Sequence, residues 1–204
     1  MAMNRKNITY SVSIIIIVFG GFVKILYDKQ TLETKIIDLI SLNKEYIYKY
    51  CKINHIKPRL YVSVIYGELN SNLNFFDEFD NIRAEYGYDP SVGFGQIRVS
   101  TFMWLEDKYS DGKYIIKSKT EDELIKKILN TENNIKYTVF YIKLIIGKLS
   151  KILKKEPSII TIGSLYSLGI DHGMRKINPN FVSQVGQSAE EFYNSYKLIN
   201  LFPN

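Results

Sequence analysis

The spacing of apolar residues through positions 31–204 constrains the fold more than any other feature of the sequence. Apolar side chains recur every three or four residues, which is the period of an α-helix with one buried face. Between 32 and 50 the pattern is carried by Leu32, Ile36, Leu39, Ile40, Ile47 and Tyr50. No Pro-, Gly- or Ser-rich linker and no internal repeat interrupts residues 31–204. We therefore predict one mainly α domain over this range.

Local signals predict where individual helices begin and end. Pro58 suits the first turn of a helix that runs to about Leu69. Thr120 and Glu123 have the spacing of a capping box. Later helices are predicted from Ile135 to Leu153, from Pro157 to Gly169, and after a cap formed by Ser188 with Glu191. Residues 70–99 are the exception, because their Asn, Asp and Gly content predicts loops with a short hairpin.

The N-terminus has a different composition from the rest of the chain. Asn7 to Val23 is a run of 17 uncharged, mostly apolar residues, preceded by Arg5 and Lys6. As a helix it would reach about 25 Å, the short end of a membrane span. No convincing signal-peptidase site follows the run. We therefore predict that residues 1–27 form an uncleaved anchor in the cytoplasmic membrane, with a buried core helix as the alternative.

Charge and cysteine content exclude several classes of function. Of the net charge of +6, residues 1–27 contribute +3, and the remaining lysines are scattered among acids. This pattern does not indicate a nucleic-acid partner. Cys51 is the only cysteine, and His55 and His172 lie in no ligand motif, so we predict no metal and no cofactor. We expect Cys51 to be a small buried residue.

Glu68 interrupts an apolar helix face. Tyr61, Val64 and Ile65 repeat at helical spacing, and Glu68 is the next residue on the same stripe. A solvated carboxylate at the helix end is one interpretation. In the other, burial and the adjacent helix C-terminus both disfavour the charged form and raise the pKa of Glu68. A carboxyl that keeps its proton near neutral pH can act as a general acid.

Four short segments follow one another in a characteristic order: "IYGELNSN", "SVGFGQIRVST", "ENNIKYTVFYIKLI" and "SLYSLGID". Their order and spacing resemble those of the lytic transglycosylases and goose-type lysozymes of the lysozyme-like superfamily. The resemblance spans Arg59 to Gly169. It implies an α+β lysozyme-like fold with a loop or hairpin insert after the catalytic helix. It also implies cleavage of peptidoglycan glycan strands, with Glu68 as the catalytic residue.

The resemblance also suggests substrate-binding residues. Gln96 would contact the sugar or orient Glu68, and Tyr166 would bond near Glu68, stack on a sugar, or be structural. Gly93 and Gly95 would admit the glycan close to the backbone or simply form a turn. The chain departs from the family pattern at Leu69, Gly95 and Ser167, where the family has serine, methionine and asparagine. The resemblance implies that serine at Ser167 removes a group expected to orient the sugar or the acid.

Two further residues receive structural expectations. Asn134 is expected to start a helix. Trp104 follows a helix cap at Ser100 and Thr101 and is expected to lie in the core.

The reaction type depends on a second carboxylate. Asp77, Glu78, Asp80, Glu85 and Asp89 fall in the insert, but none has the family's helper position. We therefore expect a lytic transglycosylase that leaves a 1,6-anhydro end, acting outside the cytoplasmic membrane. The alternatives are a hydrolytic muramidase and a glycan-binding scaffold protein of an envelope-spanning machine.

Overall fold

Helices dominate the part of the chain that the structure, a computed structural model, describes. That part comprises residues 32–71, 84–86, 88–169 and 181–203. Residues 32–42 form α1, and the next two helices are α2 (Lys44–Asn54) and α3 (Pro58–Ser71). The later helices are α4 (Val99–Tyr109), α5 (Glu121–Leu129), α6 (Thr131–Leu153), α7 (Ile159–Leu168), α8 (Gln184–Tyr193) and α9 (Tyr196–Leu201). The prediction of a mainly α protein is confirmed.

One two-stranded sheet occurs in the described residues. Strands β1 (Ser91–Val92) and β2 (Ile97–Arg98) pair antiparallel, with Ser91 opposite Arg98 and Val92 opposite Ile97. The hairpin lies inside the insert where the Asn- and Gly-rich composition predicts one. Residues 72–83, which make up much of that insert, lie outside the described residues.

The chain divides into two units, residues 1–39 and 40–204. In the first unit, residues 32–39 are described and are helical. The anchor predicted for residues 1–27 lies outside the described residues and stays a prediction, as does the domain boundary at 31. Of the helices that are described, none combines the length and apolar character needed to cross a membrane.

Side-chain caps fix most helix starts, and some differ from the predicted ones. The Thr120 hydroxyl accepts from the Glu123 N–H at 3.2 Å, as the capping-box spacing predicts. The Ser188 cap is wrong, because Ser188 lies inside α8 and the cap is Ser183, which accepts from the Gly186 N–H at 3.1 Å. Ser188 has cap-like spacing to Glu191, but the segment before it already packs as helix.

Two other starts are shifted along the chain. Helix α7 begins one residue after the Ser158 cap instead of at Pro157, and α6 begins at Thr131 behind an Asn130 cap. The expected Ser100 cap is also wrong. Helix α4 begins at Val99, so Ser100 lies inside it, and the side chain of the preceding residue Arg98 makes no capping hydrogen bond.

The core is organised around α3, which packs mainly against α8 and also against α7. Small residues allow backbone contact where these helices cross. A Cβ on Gly67 would lie 2.4 Å from the Val185 carbonyl oxygen, and one on Gly186 would lie 2.4 Å from the Ile160 carbonyl oxygen. Nearby, the Tyr66 and Phe192 rings stack with centroids 3.8 Å apart. The crossing fixes the part of α3 that carries Glu68.

We predict that Gly67→Ala destabilises the protein by about 1–3 kcal/mol, because the added methyl overpacks a backbone contact. Helix propensity alone would favour alanine over glycine by about 1 kcal/mol, so the predicted loss of stability runs against propensity. Gly147→Ala is the matched control, since that helical glycine has open space around its Cβ position, and it should stabilise slightly. Urea unfolding midpoints of both variants test the crossing, and a stabilised Gly67→Ala would contradict it.

Candidate active site

A cavity of about 420 Å³ opens beside the end of α3. Of the six residues predicted to form a site, Glu68, Gln96, Tyr166 and Ser167 line this cavity. The remaining wall is formed by Asp89, Ser91, Ile97, Arg98, Ser100, Thr101, Trp104, Tyr141, Leu168 and Gly169. Residues from α3, the hairpin, α4, α6 and α7 are thus brought together, although they are up to about a hundred positions apart in the sequence.

Glu68 presents a carboxyl group that is partly removed from water. Its Oε2 atom is buried and has no hydrogen-bond partner among the described residues. Burial raises the pKa of Glu68 from 4.5 to about 7. The direction agrees with the one expected from its place on the apolar stripe. A carboxyl with this pKa is partly protonated near neutral pH.

The turn of the hairpin, residues 93–96, places Gln96 at the cavity. Gly93 has φ 70° and Gln96 has φ 50°, so both adopt the left-handed region. That conformation is uncommon for a side chain such as glutamine. The Gln96 backbone N–H and its Nε2 both donate to the Gly93 carbonyl oxygen, at 3.2 and 2.9 Å. These bonds hold Gln96 against its own turn while it lines the cavity wall.

Asn134 clamps this turn from α6. The Gly95 N–H donates to Asn134 Oδ1 at 2.8 Å, and Asn134 Nδ2 donates to the carbonyl oxygens of Val92 and Ile128 at 3.2 and 2.9 Å. Asn134 is fully buried, so these bonds satisfy both ends of its amide. Asn134 was expected to start a helix, and it does lie in the first turn of α6. Its bonds to the turn were not predicted.

The two glycines of the turn face the protein and do not line the cavity. A Cβ on Gly95 would lie 2.1 Å from Thr138 Cγ2 and 2.9 Å from the Tyr166 hydroxyl. A Cβ on Gly93 would lie 2.1 Å from Asn134 Nδ2. A side chain at Gly95 has no room, because Thr138 and Tyr166 already occupy that space. Contact of either glycine with a glycan stays a prediction.

Tyr166 joins the turn to α7. Its hydroxyl donates to the Gly95 carbonyl oxygen at 2.5 Å, and its ring lies against that of Tyr141. Burial, with smaller contributions from Tyr61 and Glu68, raises the pKa of Tyr166 well above its usual value. The hydroxyl is therefore neutral and donates its hydrogen bond to the turn. Tyr166 also lines the cavity. Its neighbour Ser167 is exposed.

Asp89 is the one acidic side chain besides Glu68 on the described wall of the cavity. Its Oδ1 accepts from the Ser100 N–H and its Oδ2 from the Ser100 hydroxyl, both at 2.8 Å. It thereby caps the first turn of α4. Glu85 is exposed and does not line the cavity. Asp77, Glu78 and Asp80 lie outside the described residues.

Trp104 and Arg98 are among the wall residues that were not predicted as part of a site. Trp104, expected in the core, is half-buried and lines the cavity, with Tyr109 at 5.4 Å and the Lys148 ammonium 5.6 Å from its ring. Arg98 is the single cation on the described wall. Thr101 and Trp104 share a helix face at i, i+3 spacing. This spacing was the sequence signal available for Trp104, and it does not distinguish a residue on a cavity wall from one on a core-facing side of a helix.

The described residues include no candidate group for binding a metal ion and no reactive thiol. No group of three His, Cys, Asp or Glu side chains in residues 32–71, 84–86, 88–169 and 181–203 is placed to hold a metal ion. Cys51 is buried as expected, and burial raises the pKa of its thiol to about 12. A thiol with that pKa is a poor nucleophile near neutral pH.

No protein-family model matches the chain, and a comparison with characterised proteins found no match. The resemblance to lytic transglycosylases and goose-type lysozymes therefore rests on the short motifs of the sequence.

The pKa of Glu68 predicts a specific pH dependence of stability. At pH 4 and below, the carboxyl is protonated in both the folded and the unfolded chain. As the pH rises from 4.5 towards 7, the unfolded chain ionises while the folded chain resists, so the folded state loses stability. The loss is complete above about pH 7 and amounts to at most about 3 kcal/mol.

Glu68→Gln removes this ionisation while keeping the shape of the side chain. Its stability relative to the wild type should therefore increase from pH 4 to 7 and then level off. The same substitution at the exposed Glu85 is the matched control and should not reproduce the trend. Urea unfolding across this pH range makes the measurement, and a pH-independent difference between Glu68→Gln and wild type would refute the burial of this carboxyl.

Proposed function

We propose that this protein is a peptidoglycan lytic transglycosylase, with Glu68 as its acid and base. The observation that carries the proposal is the buried carboxyl oxygen of Glu68 at the wall of a cavity, which has no hydrogen-bond partner among the described residues. Burial without a hydrogen-bond partner costs stability, and a well-packed apolar residue would avoid that cost. Costly placement of a titratable group in a cleft is typical of catalytic acids.

One carboxyl group is sufficient for this reaction. Protonated Glu68 donates its proton to the glycosidic oxygen as the bond from that oxygen to C1 of the sugar breaks. The resulting carboxylate then accepts the proton of the C6 hydroxyl of the same sugar, whose oxygen bonds to C1. Glu68 is again protonated, one product has a new hydroxyl, and the other has a 1,6-anhydro end. No water is consumed, and the attacking hydroxyl benefits from being intramolecular.

The surroundings of Glu68 support this division of roles. Gln96 and Tyr166 are both tied to the turn, through the carbonyl oxygens of Gly93 and Gly95. They therefore offer a preorganised wall, which costs little reorganisation when a sugar binds. Trp104 presents part of an indole ring to the same cavity, and an aromatic face suits the apolar side of a sugar ring.

Hydrolysis by a muramidase is the second candidate function, and Asp89 is the observation that favours it. Asp89 lines the same cavity as Glu68 and could act as the base that activates water. Against this role, both Asp89 oxygens accept bonds from Ser100, so the carboxylate would have to leave a helix cap to act. The transglycosylase route requires no such change.

A non-catalytic glycan-binding scaffold is the third candidate. It is favoured by Ser167, which lines the cavity at the position where the family pattern has asparagine. In each case the partner is a peptidoglycan strand, and the domain would lie outside the cytoplasmic membrane, held there by residues 1–27. A scaffold would also contact other proteins of an envelope-spanning machine.

Digestion of purified peptidoglycan by the full-length chain separates the candidates. Mass spectrometry should find anhydro ends, each lighter by one water than a hydrolytic product and inert to borohydride. Glu68→Gln should reduce cleavage by about a hundredfold or more, because the proton donor is lost. Its circular dichroism should match that of the wild type.

Asp89→Asn is the matched variant, since it keeps the shape of the second acid in the cavity. We expect it to slow cleavage by no more than about tenfold, or about 1.4 kcal/mol in barrier. Reducing ends together with an inactive Asp89→Asn would establish the muramidase. Strand binding without cleavage by the wild type would establish the scaffold. Full cleavage by Glu68→Gln would exclude Glu68 as the acid.

A further inference from the structure

A second concave surface, which we call the basic groove, lies where α2, the start of α3 and the end of the chain meet. Its volume is about 770 Å³. The groove shares no lining residue with the cavity at Glu68. Pro58 lines the groove and Glu68 the cavity, ten positions apart along α3, which corresponds to about 15 Å of helix. The two sites are therefore separate.

The charge of the basic groove has one sign. Its described lining includes no acid and four cationic side chains: Lys49, Lys52, Lys57 and Arg59. The Glu132 carboxylate forms an ion pair with the Lys49 ammonium at 2.7 Å and compensates its positive charge. Lys52 and Lys57 are exposed, and their side chains make no ion pair or hydrogen bond with another described residue. These two ammonium groups are available to an anion.

The rest of the basic groove is apolar and partly fixed. Pro58, Tyr193 and Phe202 contribute to its wall. The Arg59 guanidinium lies 4.7 Å from the centre of the Tyr193 ring, and its Nη2 donates to the Tyr193 carbonyl oxygen at 2.8 Å. Phe202 is fully buried and meets the Tyr48 ring at 5.3 Å. An aromatic wall with a cationic rim is thus built into the fold.

We propose that the basic groove binds a small amphipathic anion. Its aliphatic or aromatic body lies against Pro58 and Tyr193, and its phosphate or carboxylate head contacts Lys52 and Lys57. The concave shape and the apolar wall favour this ligand over a charged polymer, which would engage the lysines alone. Charge complementarity selects the anion, and burial of the ligand body supplies most of the affinity.

The wild-type protein can test the ligand class with a matched pair of dyes. Anilinonaphthalene sulfonate and phenylnaphthylamine share a ring system, but only the first is charged. Fluorescence titration should show the sulfonate binding about tenfold tighter or more, the contribution expected of a charge-assisted contact. Dodecyl phosphate below its micelle-forming concentration should displace the sulfonate, whereas neutral dodecyl maltoside should not. Equal affinity for both dyes, or equal displacement, would overturn the proposal.

Substitution then locates the binding. Lys52→Gln with Lys57→Gln should weaken binding of the sulfonate about tenfold. Lys143→Gln with Lys151→Gln is the control, because it removes the same charge from exposed positions of α6. An equal loss in the control would show general electrostatic attraction and overturn the proposal. Because all four lysines are exposed, circular dichroism should be unchanged in both pairs.

Discussion

The close crossing of α3 with α7 and α8 is the constraint on which the rest of the described structure depends. Gly67 and Gly186 let backbone meet backbone, and each would clash with a carbonyl oxygen if it carried a side chain. The apolar stripe of α3 is also buried, with Tyr61, Val64 and Ile65 inaccessible to solvent. Glu68 directly follows Gly67, so the packing that stabilises the core also determines where the carboxyl group lies.

The second requirement of the site is a rigid hairpin turn. Asn134 from α6 and Tyr166 from α7 bind the two polar backbone groups of Gly95, one accepting from the N–H and the other donating to the carbonyl oxygen. Thr138 fills the space beside Gly95, and the Tyr61 hydroxyl bonds Thr138 at 2.7 Å. The stripe of α3 and the turn are therefore joined through Tyr61. A shift in any of these helices would change the position of Gln96 relative to Glu68.

The sequence predicted the helical class, several helix boundaries and four residues of the cavity wall. Helical period and local caps depend on neighbours in the chain, so Pro58 and Thr120 could be interpreted directly. The failures have two causes. Ser188 has cap-like spacing but lies inside α8, because the nearby Ser183 provides the actual cap. Asn134 resembles a helix start but binds a turn about forty positions away. Likewise, no local pattern shows that Trp104 borders a cavity, or that Lys52 and Lys57 meet the end of the chain in one groove.

The folded chain keeps the Glu68 carboxyl partly protonated near neutral pH. Carbon NMR of protein labelled at the glutamate side-chain carboxyl measures this directly, with the Glu68 signal assigned by its absence from Glu68→Gln. The account predicts a titration midpoint at about 7 for this signal. A midpoint near the ordinary value of 4.5 would show a solvated carboxylate and contradict the account.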